Sequence, residues 1–390
     1  MKKVAVFLDT SKPALGLHGL HTAFTGLPGA EVCGFADSNP ELDESEVLRR
    51  LKAKKRYFDF SDMLEKEHPD IVVITSRDPA SHLPQLKLAA SFGCNVFIEK
   101  PLSADLEEVD EIVRIVEQSG ITVCVAHPAR YNTPYQAVKK AIESGKIGRV
   151  LTATAYGKCD GRGGGEDLMT LGTHLLDLMI YLFGEPDSVR AELRTAGHPT
   201  AKNEWRKTVE AIGPCAGEEL FADFHFPEQN VRGTFESRMG LSEPAKGDQT
   251  RMALSIRGTD GILTERFTDI LPDFPVLYAN TRYPAELGAV FEEFPAPETR
   301  IIPGEDPSYL EFVKTVPGVC HTNFMIRGYH YAAWDLMCAL DEHRQPVSNI
   351  YNARKTLEMI YGIYASHLKD GARVTFPLQN RKHPLAGEEK

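Results

Sequence analysis

Glu99-Lys100-Pro101 closes the apolar run Asn95 to Ile98, and well downstream stands Gly172-Thr173-His174-Leu175-Leu176-Asp177. Proline keeps the residue before it out of the α region, so Lys100 is predicted to be extended and held at the carboxyl edge of a parallel sheet, where open α/β sheets bind ligands. An ammonium can stabilise a forming alkoxide while an imidazole takes the proton. The two motifs together predict a lysine and a histidine meeting across a cleft in a nicotinamide-dependent enzyme. Each residue also has a plainer reading. Lys100 could be a solvated strand-end lysine, and His174, with Leu171, Leu175, Leu178 and Met179 around it, a core histidine on an apolar helix. Asp177, one turn later, either orients His174 or is a buried hydrogen-bonding acid.

A dinucleotide site should show Gly-x-Gly-x-x-Gly directly after a first strand, so that backbone amides and a helix N-terminus meet the pyrophosphate. Val4 to Leu8 is followed instead by Asp9 and a longer turn, in which Gly16, His18 and Gly19 supply a single Gly-x-x-Gly pair. That turn reads equally as an ordinary glycine-containing loop and as a phosphate site. Asp37 stands 18 residues after Gly19, near the spacing of about 20 expected of an acid that binds a ribose diol. Ser38 and Asn39 follow it with no arginine to receive a 2′-phosphate, which favours NAD over NADP. The alternative for Asp37 is turn capping before Pro40. Thr75 and Ser76 end the next apolar run with hydroxyls suited to a ribose or phosphate. His82 is either a cofactor contact or a helix-start residue with a local hydrogen bond. Glu99, Lys100 and His127 complete this edge, and Arg130 faces substrate there or serves as a structural ion-pair partner.

Val4 to Leu8, Val32 to Ala36, Ile71 to Thr75, Val96 to Glu99 and Ile121 to Ala126 are short apolar runs. The segments between them carry helical periodicity, which predicts a parallel sheet covered by helices. Ser103 reads as an N-cap, and Gly120 closes the helix through Val109, Ile112, Val113 and Val116. A helix after Thr133-Pro134 should end at Gly145. The pattern then becomes β-rich around 149–157, 188–195, 219–226, 231–238, 251–257 and 261–267, with one long helix near 167–183, which predicts an α+β domain with an open, mostly antiparallel sheet. Residues 270–310 read as long loops, and helices near 323–343 and 351–369 finish the chain. The fold class is thus α/β: a doubly wound parallel domain over 1–127 and a substrate and oligomerisation domain over 128–390.

Size and charge agree with this. A chain of 390 residues exceeds one ordinary core, and a net charge of −11 opposes non-specific attraction to nucleic acid or anionic membrane. Seven scattered cysteines (33, 94, 124, 159, 215, 320 and 338), never spaced Cys-x-x-Cys, indicate neither a disulfide framework nor a zinc site. With no signal peptide and no membrane span in the pattern, a cytoplasmic protein is expected.

Glu99-Lys100-Pro101, His127-Pro128-Ala129-Arg130-Tyr131, Glu143-Ser144-Gly145-Lys146-Ile147-Gly148-Arg149-Val150, Gly163-Gly164-Gly165 and Gly172-Thr173-His174 occur in an order and spacing that resemble the Gfo/Idh/MocA family. The closing Ser366-His367-Leu368-Lys369-Asp370-Gly371-Ala372-Arg373-Val374-Thr375-Phe376-Pro377 extends the resemblance over nearly the whole chain. It implies a Rossmann domain with a second α/β domain, a homodimer or homotetramer, and NAD(P)-dependent oxidation of a sugar or polyol. Carried over, Lys100 corresponds to the lysine that touches both nicotinamide and substrate hydroxyl, and His174 to the catalytic histidine. Many members place aspartate four residues before that histidine, where this chain has Thr170, which can bond a sugar hydroxyl but cannot share a proton as a carboxylate does. On a continuous helix Asp167 would lie about 10 Å from His174 along the axis, within reach of substrate. Asp160-Gly161-Arg162-Gly163-Gly164-Gly165 reads as a flexible cover whose Arg162 binds substrate or cofactor, or as a simple glycine connector.

The expected activity is hydride transfer between a carbohydrate or cyclic polyol and NAD, with His174 as base, Lys100 as electrostatic stabiliser and no metal. Two rival readings stand beside it. One is an NAD-dependent glycosidase or lyase working by transient sugar oxidation and elimination, the other a non-catalytic dinucleotide-binding sensor.

Overall fold

A computed structural model of the chain describes residues 1–11, 17–206, 208, 212–243, 252–266, 276–281, 290–295, 302–306 and 323–386. Its described residues form two compact units, one from Met1–Asn132 and Arg300–Arg354, the other from Thr133–Thr208, Ile212–Thr299 and Lys355–Lys390. No helix among them is long and apolar enough to cross a membrane.

In the first unit, β1 (Lys2–Phe7), β2 (Ala30–Ala36), β3 (Arg56–Tyr57), β4 (Ile71–Ile74), β5 (Asn95–Ile98) and β6 (Val123–Val125) form a parallel sheet in the order β3-β2-β1-β4-β5-β6. Parallel neighbours cannot be joined by a tight turn, so the chain must cross over each face between strands. With both faces covered the strands read as continuous apolar runs: Val4, Val6, Ile71, Val73, Phe97 and Ile98 are fully buried. The crossovers include α1 (Glu44–Leu51), α2 (Phe60–Glu67), α3 (His82–Ser91) and α4 (Leu106–Ser119).

One local expectation, the helix cap, is corrected, and one short strand is added. The cap of α4 is Asp105, whose carboxylate accepts the amides of Glu107 at 2.7 Å and Glu108 at 3.0 Å. Ser103 instead accepts the Asp105 amide at 2.9 Å and donates to Glu108 Oε2. The two-residue β3 is too short to leave a periodic signal in the sequence, yet it sets the edge of the sheet.

Between β1 and β2 the described residues hold a single 3₁₀ turn, Leu20–Thr22, where a dinucleotide fold would place a full helix. The apolar surface this leaves is covered by the helix Asn323–Glu342. Its Tyr329, Ala332, Ala333, Leu336 and Met337 share one core with Leu20, Phe24, Val4, Val6 and Phe35. An element from far along the chain thus completes the first unit.

The second unit is built on β7 (Val150–Tyr156), β8 (Ser188–Thr195), β9 (His198–Pro199), β10 (Glu219–Phe226), β11 (Val231–Arg238), β12 (Ala253–Gly258), β13 (Gly261–Arg266), β14 (Leu277–Asn280), β15 (Glu292–Glu293) and β16 (Val374–Thr375). Their order is β15-β14-β13-β12-β7-β11-β10-β8-β16, with β9 beside β8. Only β7 and β11 run parallel; the other pairs are antiparallel. Alternation along β10 puts Leu220, Ala222, Phe224 and Phe226 in the core and leaves Glu219 and Phe221 in solvent.

Helix α5 (Thr133–Glu143) ends near Gly145 as expected, at φ 71°. The single helix expected at 167–183 is two, α6 (Gly165–Thr170) and α7 (Gly172–Phe183), broken at Leu171. The stretch read as long loops contains β14 and β15, and its other residues lie mostly outside the described set. Toward the C-terminus the helix Ile350–His367 is pinned to β8, whose Ala191 amide donates to Ser366 Oγ at 2.9 Å and whose Leu193 amide donates to His367 Nδ1 at 3.1 Å. Six cysteines are free thiols, and Cys320 lies outside the described residues.

Within the first unit, Asp335 ties the distal segment to the sheet edge. It accepts the Tyr131 hydroxyl at 3.0 Å, the Val347 amide at 2.7 Å and Arg344 Nη2 at 2.7 Å, while Tyr131 accepts the Ser348 amide at 2.9 Å. Asp335→Ala would leave a buried hydroxyl and an amide without their acceptor. A stability loss of about 3 kcal/mol is expected in chemical denaturation, and a loss below about 1 kcal/mol would show that the network contributes little.

Candidate functional site

Every strand of the first sheet points the same way, so the residues that follow them share one edge: Asp9 after β1, Asp37 after β2, Thr75 and Ser76 after β4, Glu99 and Lys100 after β5, and His127 after β6. The strand order reverses between β1 and β4, which opens a crevice at that edge where dinucleotides bind.

Asp37 is buried, with Oδ1 accepting the Asn39 amide at 2.9 Å and Oδ2 the Thr10 amide at 3.2 Å. The turn-capping contact considered for it is therefore present, and each carboxylate oxygen keeps a lone pair for a ribose hydroxyl. Ser38 beside it is exposed. Sequence reading missed Arg56. This arginine leaves β3 against the same turn, donating from Nη2 to the carbonyl oxygens of Asp37, at 3.1 Å, and of Asn39, while its guanidinium lies 4.2 Å from the ring centre of Phe58. No local pattern flags it, because its relation to Asp37 arises from β2 pairing with β3.

Thr75 and Ser76 use their hydroxyl protons on the protein. Thr75 donates to the Phe7 carbonyl at 3.0 Å and Ser76 to Asp9 Oδ2 at 3.0 Å, so in this arrangement they knit β4 to β1 and cannot donate to a phosphate. His82 likewise has the local role. Its ring nitrogens lie 2.8 Å from Ser76 O and 3.0 Å from Leu102 O, and burial holds its pKa below the ordinary value despite those carbonyls and Glu99. It joins the loop after β4 to the loop after Lys100.

Glu99 is fully buried, and the peptide between Lys100 and Pro101 is cis. The structure brings His18 to this point, with Nδ1 3.3 Å from Glu99 Oε1. Glu99 Oε2 is buried with no hydrogen-bond partner among the described residues. A buried carboxylate oxygen of this kind requires a donor, and a ribose hydroxyl or a carboxamide of NAD offers one, so these residues fit the cofactor. Gly19 adopts φ 93° and starts the 3₁₀ turn, whereas Gly16 lies outside the described residues. Lys100 and His127 are both buried. Arg130, read as facing substrate or forming an ion pair, has Nη1 on Val347 O at 3.0 Å and Asn352 Oδ1 at 3.2 Å, which makes it a brace within the first unit.

In the second unit His174 is the third residue of α7, buried, with Asp177, also buried, one turn further on. The break at Leu171 overturns the continuous-helix spacing read for Thr170 and Asp167. Thr170 Oγ1 donates to Glu166 O at 3.2 Å. Asp167 is fully buried and directs both oxygens at backbone: Oδ1 accepts the Gly172 amide at 3.1 Å and Oδ2 the Lys158 amide at 2.7 Å. It is therefore not the substrate contact expected.

The glycine segment is packed rather than a flexible cover, since a Cβ at Gly163 or Gly165 would collide with the carbonyls of Arg238 or Ala216. Arg162 is half-exposed, with Nη2 3.8 Å from Asp160 Oδ2. Buried Lys158, not anticipated, holds the same carboxylate oxygen at 3.2 Å.

These features match a known family. Residues 17–127 match the profile of the oxidoreductase family with an NAD-binding Rossmann fold, and residues 135–264 that of the GFO/IDH/MocA C-terminal domain. The chain belongs to the Gfo/Idh/MocA family and is an NAD-binding oxidoreductase. It is 32% identical over 133 residues to the uncharacterized oxidoreductase YhhX of Escherichia coli, a match covering 32% of this chain and 38% of that protein. To D-apiose dehydrogenase of Paraburkholderia graminis it is 29% identical over 259 residues, covering 62% of this chain and 67% of the relative. Its fold is that of levoglucosan dehydrogenase, solved in complex with NADH and levoglucosan, with a TM-score of 0.69 at 21% identity over 97% of this chain and 100% of that one.

Burial raises the Asp167 pKa to about 6 against the Lys158 and Gly172 amides, Ser237 and the Lys158 charge, all of which lower it. Because the folded-state value lies above the ordinary 3.8, the native protein binds this proton more tightly than the unfolded chain. Stability contributed here is present at low pH and lost as pH rises from about 4 to about 6, on the order of 3 kcal/mol in all. Asp167→Asn should flatten that part of a stability-against-pH curve measured by denaturant unfolding, and an unchanged slope would contradict the assignment.

Proposed function

We propose that the protein is an NAD-dependent dehydrogenase acting on a hydroxyl of a carbohydrate or cyclic polyol. The observation that carries the reading is the carboxyl edge of the first sheet, where Asp37, the orphaned Glu99 oxygen and Lys100 follow strands on either side of the β1–β4 switch. Bound NAD supplies the hydride acceptor. The roles assigned are hydroxyl binding to Glu99 and Asp37, stabilisation of an alkoxide to the Lys100 ammonium, and proton acceptance to the His174 imidazole. Dehydrogenases of D-apiose and of levoglucosan among the similar proteins support the carbohydrate class.

The preference for NAD over NADP rests on charge. The Asp37 carboxylate would face a 2′-phosphate, and Arg56 beside it directs Nη2 at the Asp37 and Asn39 carbonyls. A homo-oligomer is also part of the reading. Tyr156 and Phe221, half-exposed, flank Glu236 in one cross-strand row on the solvent face of the second sheet, and light scattering at micromolar protein should give a mass above that of one chain.

The test is a screen of the pure protein with NAD and NADP against free sugars, inositols, sugar acids and aryl glycosides, reading both reduced nicotinamide and released aglycone. NADH formation with a free sugar or polyol is expected. Lys100→Met should lower turnover by about 1,000-fold or more while leaving NAD affinity within a few-fold. Turnover close to wild type would reject Lys100, and aglycone release without net NADH would replace dehydrogenation by redox-neutral cleavage.

A further inference from the structure

We infer that Asp167 is a positioning residue for His174, acting through the first backbone amide of α7; the inference rests on the reading of His174 as the base. A helix begins with donors that have no intrahelical acceptor, and α7 has no side-chain cap at Leu171. Asp167, from the preceding helix, supplies the missing acceptor at the Gly172 amide, two residues before His174. Its other oxygen holds the Lys158 amide just beyond β7, so one carboxylate joins the end of a strand to the start of the helix that carries the imidazole.

The surroundings are shaped around that carboxylate. A Cβ on Gly157 would collide with Asp167 Oδ2, and one on Gly172 would meet the Asp167 carbonyl and the Phe235 ring. Ser237 extends the tie to β11, accepting the Gly164 amide at 2.9 Å and donating to Lys158 O at 2.8 Å. The charge of Lys158 is the cation that acts on Asp167. A fully buried carboxylate whose burial is unfavourable above its pKa is an inefficient way to stabilise a fold, since an apolar or amide side chain would avoid the desolvation. Its two charge-assisted bonds to backbone instead fix where α7 starts. Helix placement at that level decides catalytic geometry, because a displacement near 1 Å at a reacting group lowers rates by about 100-fold.

Asp167→Asn and His174→Ala are compared in the full chain at pH 8, with NAD and the substrate that the screen ranks first. Asparagine keeps one acceptor but turns an N–H toward the other amide. The expected result for Asp167→Asn is a fall in kcat of about 10- to 100-fold, with KM and NAD affinity within about twofold and a melting temperature no lower than wild type. A merely structural role would lower the melting temperature and leave kcat per folded molecule intact, and that outcome overturns the inference. If His174→Ala is inactive and Asp167→Asn is normal, the inference falls and the base assignment stands. If His174→Ala retains turnover, both fall. Gly157→Ala, which displaces the carboxylate without removing it, should reproduce the loss of kcat where Asp167→Asn does not fold, and normal kcat in that variant overturns the inference.

Discussion

Parallel pairing of β1 with both β2 and β4 is the constraint from which the first unit follows. Parallel strands cannot turn back on themselves, so each must be followed by a crossover that leaves from the same edge. The edge then collects the side chains that come directly after each strand, and rigid, fully buried backbone fixes where each one starts. Chemistry concentrates there because the chain must exit there, and the reversal of order between β1 and β4 parts the exits enough to admit a ligand.

Within that edge most polar groups are engaged with one another. Thr75, Ser76 and His82 hold loops to strands, and Asp37 is held by the amides on either side of its turn and by Arg56 at its carbonyl. Against this background the buried Glu99 Oε2 is a carboxylate oxygen without a hydrogen-bond donor among the described residues. The same logic runs oppositely in the second unit. Asp167 accepts two backbone amides, one of them at the start of α7, although burial disfavours its charge. In both units a carboxylate sits in a dry environment, distinguished in one case by what it lacks and in the other by what it holds.

Much of the fold was legible. The runs at Val4, Val32, Ile71, Val96 and Ile121 became β1, β2, β4, β5 and β6, and the β-rich stretches from 149 to 267 became β7, β8 and β10 to β13. Strands buried on both faces, or alternating between core and solvent, carry their environment in their own residue order. The break at Leu171 was not legible, because Leu168, Met169, Leu171 and Leu175 continue an apolar stripe across it and the competing acceptor, the Asp167 side chain, is specified by the packing of Gly157 and Phe235. The role of Asn323–Glu342 in closing the core left open by the short turn at Leu20–Thr22 was equally hidden, since helical periodicity shows that a helix buries one face but not against what.

The sequence by itself determined most of the longer elements, the family, and the strand-end positions of Asp37 and Lys100, because all of these are written in local patterns of polarity, proline and spacing. Tertiary structure decided which polar side chains are already engaged. It turned Thr75, Ser76, His82 and Arg130 into braces, brought Arg56 to Asp37 and His18 to Glu99, and moved Asp167 from substrate to backbone. A hydrogen bond is set by distances of about 3 Å between groups that lie far apart along the chain, and no one-dimensional pattern encodes such distances.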